Sequence, residues 1–263
     1  MNFILYLILL TFFLLLVNNL FIKKNFLISE TGDRHQKFAS KEKVPLTGGI
    51  FLFLSFLFFF DDQILSFILF SFLMLLLGTF SDLKQIKSAL NRLVIQISLV
   101  LSFVIFNDLQ LLNTKIYLLD NLLSYEVFNY LFVSFCILIV INGSNFFDGL
   151  NTLSIGYYIL ITLIIYYLEL NNFIIANEDF INYMLIILAI SFFLNSINKI
   201  YLGDAGSYLL GFTFSIFLIN IYIENSQISP FFIIVLLWYP SFETLFSIIR
   251  KNIMNKSPMR PDS

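Results

Sequence analysis

Charge is scarce in this chain, and the residues that bind soft metals or cross-link a fold are nearly missing. Only 12% of its 263 residues are charged, against roughly 25% in a soluble domain. The single cysteine, Cys136, excludes an internal disulfide and a cysteine metal cluster. Its place inside an apolar run reads as that of a small buried side chain. The one histidine, His35, stands in a basic loop and reads as a surface residue. No stretch repeats at a fixed period and no inverted pair of interrupted helices is visible, which weighs against a transporter. The first apolar run has no basic stretch before it and no small-residue cleavage site after it. Residues 3–22 therefore read as a membrane span rather than a cleaved signal.

What is abundant is hydrocarbon. Hydrophobic residues make up 59% of the chain and the mean hydropathy is +0.89, so this is a membrane protein. Apolar runs close to the ~20 residues that cross a bilayer recur along the whole length. Spans are expected near 3–22, 46–60, 64–80, 90–106, 127–143, 152–169, 181–197, 206–223 and 229–249. The expected fold is all-α: one polytopic transmembrane bundle of about nine helices, occupying residues 1–263 as a single domain. Residues 107–126 carry too many polar breaks to span, and read as a loop with a short amphipathic piece at the surface.

Basic residues orient this arrangement. If the spans alternate, 14 of the 15 Lys and Arg residues fall on one side, with only Lys115 opposite. So strong a bias puts that side in the cytoplasm, leaving the N-terminus outside and the C-terminus in the cytoplasm.

Every conspicuous polar cluster then reaches the cytoplasmic face: KEKVPLTGGI (41–50), GTFSDLKQIKSALNRLVIQ (78–96), NGSNFFDGLN (142–151) and YLGDAGSYLLGF (201–212). Asp82, Asp148 and Asp204 sit at or near helix ends, where a carboxylate avoids the ~2.5–3.5 kcal/mol insertion cost of the bilayer centre. Three carboxylates on one face suit a hard divalent cation such as Mg²⁺, with Mn²⁺ as the alternative. Gly203, Gly206, Gly149 and the pair Gly48-Gly49 let backbone approach a ligand, and helix starts there favour an anion. Lys41, Lys43, Lys84, Lys87 and Arg92 add positive charge. Acids for a metal among amides and cations suit phosphates. Capping and turn formation account for any one cluster equally well; four on one side do not reduce to that. The pair Asp61-Asp62 falls in the opposite turn, between spans two and three, and reads as a solvated hairpin turn.

These clusters resemble the motifs of the polyprenyl-phosphate N-acetylhexosamine-1-phosphate transferases. NGSNFFDGLNTLS is similar to their Asn-x-x-Asn-x-x-Asp-Gly-x-(Asn/Asp)-Gly-Leu segment, and GDAGSYLLGF to their Gly-Asp-x-Gly-Ser segment. KVPLTGGI resembles the Pro-x-x-Gly-Gly stretch before the second span, and FSDLKQIKSALNRLVIQ the Asp-Asp loop followed by a basic residue and Leu-x-x-Gln. The resemblance runs from about residue 40 onward in the family's order, and GDAGSYLLGF looks closer to the enzymes that start O-antigen and related lipopolysaccharide glycans than to the peptidoglycan enzyme. It implies a bacterial inner-membrane enzyme that moves sugar-1-phosphate from a UDP-N-acetylhexosamine to undecaprenyl phosphate with Mg²⁺. It further implies catalytic roles for Asp82, Asp148 and Asp204, with Asp204 and Asp148 on the metal. Lys43, Arg92, Asn142, Asn145, Asn151, Gly203, Gly206 and Ser207 would meet substrate. The implied partners are the lipid, the UDP-sugar and the bilayer, with no nucleic acid; a homodimer stays open.

Two departures from the family's pattern stand out. Position 81 is Ser where the first loop acid is usual, and the family's His-x-His segment and final spans, expected beyond KNIMNKSPMRPDS, are not in these 263 residues. They keep open an inactive or truncated relative that only binds polyprenyl phosphate. A transporter or flippase is the other alternative, but it expects ionisable groups inside the spans, which carry almost none.

Overall fold

The computed structural model describes residues 2–30, 43–58, 65–111, 113–148 and 152–253. Asp61 and Asp62, His35, Lys41, Gly149 and Asn151 lie outside the described residues.

Helices dominate because long apolar runs in hydrocarbon can satisfy their backbone only internally. α1 (Phe3–Lys24) is followed by a small antiparallel hairpin of β1 (Ile28–Glu30) and β2 (Lys43–Pro45). Next come α2 (Gly48–Phe56), α3 (Leu65–Asp82), α4 (Ala89–Phe106) and the short α5 (Tyr117–Leu123). The chain continues through α6 (Glu126–Phe147), α7 (Leu153–Leu170), α8 (Glu178–Ser196), α9 (Gly203–Glu224), α10 (Pro230–Leu236) and α11 (Trp238–Ile253). α5 is the surface piece expected within 107–126, with Tyr117 and Leu118 exposed.

Among the described residues seven helices are long and apolar enough to cross a membrane, and an eighth if α10 and α11 count as one bent span. Two of the nine expected spans therefore differ in form. The second, expected over 46–60, is the nine-residue α2, about 13 Å of helix, less than half a bilayer core. The ninth is broken: α10 and α11 meet at 72°. Pro240 explains the break, since it has no N–H to bond the carbonyl of Leu236 four residues earlier. Tyr157 on α7 donates its hydroxyl to that carbonyl instead, at 2.5 Å.

α9 is the axis of the bundle. Three quarters of its span, 78%, is buried inside the protein, far more than any other membrane helix, so it faces protein rather than lipid. Such all-round contact requires close backbone approach, which small residues allow. A Cβ on Gly78 of α3 would stand 2.3 Å from Cα of Ala205, and one on Gly49 of α2 would stand 2.6 Å from N of Gly206. The outward faces of α1 are Ile, Leu and Phe, as lipid contact demands.

A candidate active site at one end of the bundle

The three expected carboxylates stand at the same end of the bundle. α3 ends at Asp82, α6 is closed by Asp148 at its C-cap, and α9 starts with Asp204 in its first turn. Asp82 accepts hydrogen bonds from the backbone N–H of Asp204 (2.9 Å) and of Ala205 (3.2 Å), so it caps α9 from another helix. Gly203 makes this possible: its φ is +66°, and a Cβ there would lie 2.6 Å from the Asp82 carboxylate. Arg92, in the first turn of α4, donates to Asp204 Oδ2 at 2.8 Å and to Ser81 Oγ at 2.7 Å. Ser81 in turn donates to Asp204 Oδ2. Where the family's pattern has an acid, this chain has a hydroxyl that bridges the cation and the carboxylate.

Asp148 completes the group. Its surroundings are unfavourable for an anion: burial first, then the like charges of Asp82 and Asp204, hold its carboxyl well above the ordinary carboxylate range. It also stands at a helix C-terminus, the negative end of the macrodipole. Folded protein thus keeps a proton that the unfolded chain, titrating near pH ~3.9, has released. Between the two values the native state binds more protons, so stability falls as pH rises. Asp148→Asn removes this dependence. Thermal melts from acid to neutral pH should show wild type losing Tm relative to the variant; parallel curves would contradict this electrostatic setting.

The amide residues form the walls. α6 runs to Phe147, past the expected span end at 143, so Ser144 and Asn145 join Asn142 in its last turns rather than forming a loop. Bundle packing accounts for this: Gly143, Ser144 and Phe147 are buried, which favours continuing the helix despite turn-forming residues. Asn145 Oδ1 accepts from Ser207 Oγ at 3.1 Å, joining α6 to α9. Asn142 donates to Gln96 Oε1 at 3.1 Å, joining α6 to α4. Gln96 lies one helical turn beyond Arg92 on the same face of α4. It and Tyr208, whose hydroxyl lies against Ser81, belong to this site although neither is among the site residues expected from the sequence. The Leu-x-x-Gln spacing was the available signal for Gln96; Tyr208, one of 13 tyrosines, carried none.

Not every expected residue joins the cluster. Gly206 is taken up in packing against Gly49. Lys43 donates to Asn25 Oδ1 at 2.6 Å and lines a separate cavity between α1 and the turn before α9.

Whether a divalent cation fits can be judged from the donors. Among the described residues no group of three His, Cys, Asp or Glu side chains is arranged to hold a metal. Asp82 is committed to the α9 N–H groups, and Asp204 Oδ2 to Arg92 and Ser81. That leaves Asp204, and Asp148 once a cation displaces its proton, as candidate ligands, all hard oxygen. One or two carboxylates, completed by water and substrate phosphate, is the set Mg²⁺ commonly takes, so the residues fit such an ion.

A multi-span helix bundle that gathers carboxylates, a half-buried arginine and amides at one end has the makings of a membrane-embedded phosphate-handling enzyme. The family model described as glycosyl transferase family 4 matches residues 64–222, from the start of α3 to the end of α9, and the chain belongs to that family. It is thus a transferase of the polyprenyl-phosphate sugar-1-phosphate type in general. No curated protein matches the chain.

Proposed function

We propose that the chain transfers an N-acetylhexosamine-1-phosphate from its UDP-linked form to undecaprenyl phosphate, releasing UMP and starting a lipid-linked glycan of the cell envelope. The observation that carries this reading is the placement of Asp82, Asp148, Asp204 and Arg92, from four helices, at one end of the bundle. The basic bias of the sequence supports a cytoplasmic position for that end, where UDP-sugars are found, in a bacterial inner membrane.

A phosphate oxygen of the lipid attacks the phosphorus that bears the sugar. A new P–O bond forms there, the bond to the bridging oxygen breaks, and its electron pair leaves with UMP. The lipid phosphate is already ionised at neutral pH and needs little help from a base; the obstacle is repulsion between two anions. Bound Mg²⁺, held by Asp204 and Asp148, would supply charge neutralisation of the diphosphate. Arg92 adds a fixed cation beside it, held in place by Asp204 and Ser81. Asp82 fixes the N-terminus of α9, whose first turn carries Asp204, so the acid is presented by a braced backbone. Asn142 and Asn145 offer amides along the wall for the nucleotide-sugar.

The test is direct. Purified protein, undecaprenyl phosphate and radiolabelled UDP-N-acetylglucosamine or UDP-N-acetylgalactosamine should give a labelled lipid that depends on Mg²⁺. Absence of a metal-dependent lipid product with either sugar would overturn the reading.

A further inference from the structure

A second polar cavity is lined by none of the residues on which the proposed transfer draws. It measures about 570 Å³ and is enclosed by the last turns of α1, by β2 and by the turn between α8 and α9. None of its lining residues belongs to the carboxylate cluster.

Among the described residues its lining is one-sided in charge. Lys43 approaches from β2 and Lys199 from the turn, with the amides of Asn18, Asn19 and Asn198 between them, and none of the described lining residues is a carboxylate. Two cations and three amides facing one space suit a group with negative charge and several acceptor oxygens. The frame is built rather than incidental. Asn18 is 3% exposed; it accepts from Thr47 Oγ1 at 2.9 Å and donates to the Lys199 carbonyl at 3.2 Å. Lys43 is steadied by Asn25 at 2.6 Å, and Tyr201 donates to Asn198 Oδ1 at 3.0 Å, fixing that carboxamide. On the other side the wall is apolar, Leu15 and Ile22, and it continues into the lipid-facing side of α1, where Phe13, Leu16 and Leu20 are exposed. A phosphate in the cavity would therefore sit where a hydrocarbon tail could run along α1.

We propose that this cavity is a phosphate-binding site, independent of the transfer reaction, that takes either the phosphodiester headgroup of an anionic membrane lipid or a soluble phosphate. Backbone hydrogen bonds tie its lining to the segment that precedes α9. Tyr201 N donates to the Pro45 carbonyl (2.8 Å) and Gly48 N to the Tyr201 carbonyl (2.9 Å), two residues before α9 begins. An occupant would brace the segment that carries Asp204.

Native mass spectrometry of the full chain in a neutral detergent tests this, with phosphatidylglycerol and phosphatidylcholine as probes. Wild type should retain phosphatidylglycerol in preference to phosphatidylcholine. The Lys43→Gln/Lys199→Gln variant should lose about ten-fold in retention, the scale of one or two charge-assisted hydrogen bonds. Lys43→Arg/Lys199→Arg should keep most of it. Lys23→Gln/Lys24→Gln, at the end of α1 outside the lining, should behave as wild type. Displacement of the lipid by inorganic phosphate would identify a soluble phosphate as a competent occupant, and resistance to it would identify the headgroup. Equal retention by wild type and Lys43→Gln/Lys199→Gln would overturn the proposal. So would equal losses in the two Gln pairs, which would mean that surface charge alone attracts the lipid.

Discussion

Asp204→Asn should lower sugar-phosphate transfer by about 10³-fold while the protein still extracts and elutes like wild type, a loss on the scale of removing one preorganised electrostatic contact. The substitution keeps the shape of the side chain and one acceptor oxygen. It removes the charge that pairs with Arg92 at 2.8 Å and one of the two carboxylates left for a cation. Arg92 would then face Ser81 without its counter-ion, half-buried, and would be pulled toward any incoming phosphate in the ground state as well as in the transition state. Binding would survive better than turnover, so kcat should fall more than KM rises. Two companions make the result specific. Ser81→Ala removes a neutral hydroxyl, expected to cost about two- to ten-fold, the range of a single neutral hydrogen bond. Asp61→Asn, in the turn that the sequence assigns to the opposite membrane face, should leave the product nearly unchanged. Equal losses for Asp204→Asn and Asp61→Asn would mean that the ends of the bundle have been assigned wrongly.

That Asp82, Asp148 and Asp204 share one end was legible in the sequence because hydrocarbon makes polarity expensive. In a chain with so few charges, each acid beside an apolar run marks a helix end, and alternating spans bring alternate ends together. Composition therefore revealed the bundle and its polar end. Detail that depends on tertiary contact was not legible in the same way. The hairpin has strands of only three residues, too short for any alternating pattern to declare itself. The extension of α6 beyond residue 143, through Ser144, Asn145 and on to Phe147, runs against local turn preference and follows from burial among neighbouring helices. The break between α10 and α11 had a sign that could have been used: Pro240 interrupts an apolar run expected to be one helix. Ser81 illustrates the remaining limit. Seen in the sequence it is a missing acid; in the fold it is a link between Arg92 and Asp204, because α4 brings the arginine to it from eleven residues away.

The other large effect belongs to packing. Gly78→Leu should leave little properly folded protein, read as loss of the monodisperse peak after detergent extraction and a Tm too low to measure in what remains. A Cβ at position 78 would meet Cα of Ala205 at 2.3 Å, its N at 2.5 Å and the carbonyl carbon of Asp204 at 2.8 Å. All three are backbone atoms of the most buried helix, so no rotamer change can make room, and α3 and α9 must move apart. The cost exceeds the ~1–3 kcal/mol of ordinary overpacking, where side chains share the strain. Position 78 lies one turn before Asp82 on the same face of α3, so separation there also pulls Asp82 from the N–H groups of Asp204 and Ala205. Gly78→Ala should show the milder form, a lower Tm with transfer reduced further than the loss of folded protein explains. Gly156→Leu is the control for helix glycine as such. A Cβ there meets only the ring of Phe192, at 3.3 Å, a side chain that can turn aside, so this variant should extract and elute as wild type. If Gly78→Leu instead elutes like Gly156→Leu, α3 and α9 do not pack backbone to backbone, and the placement of Asp82 against α9 falls with that contact.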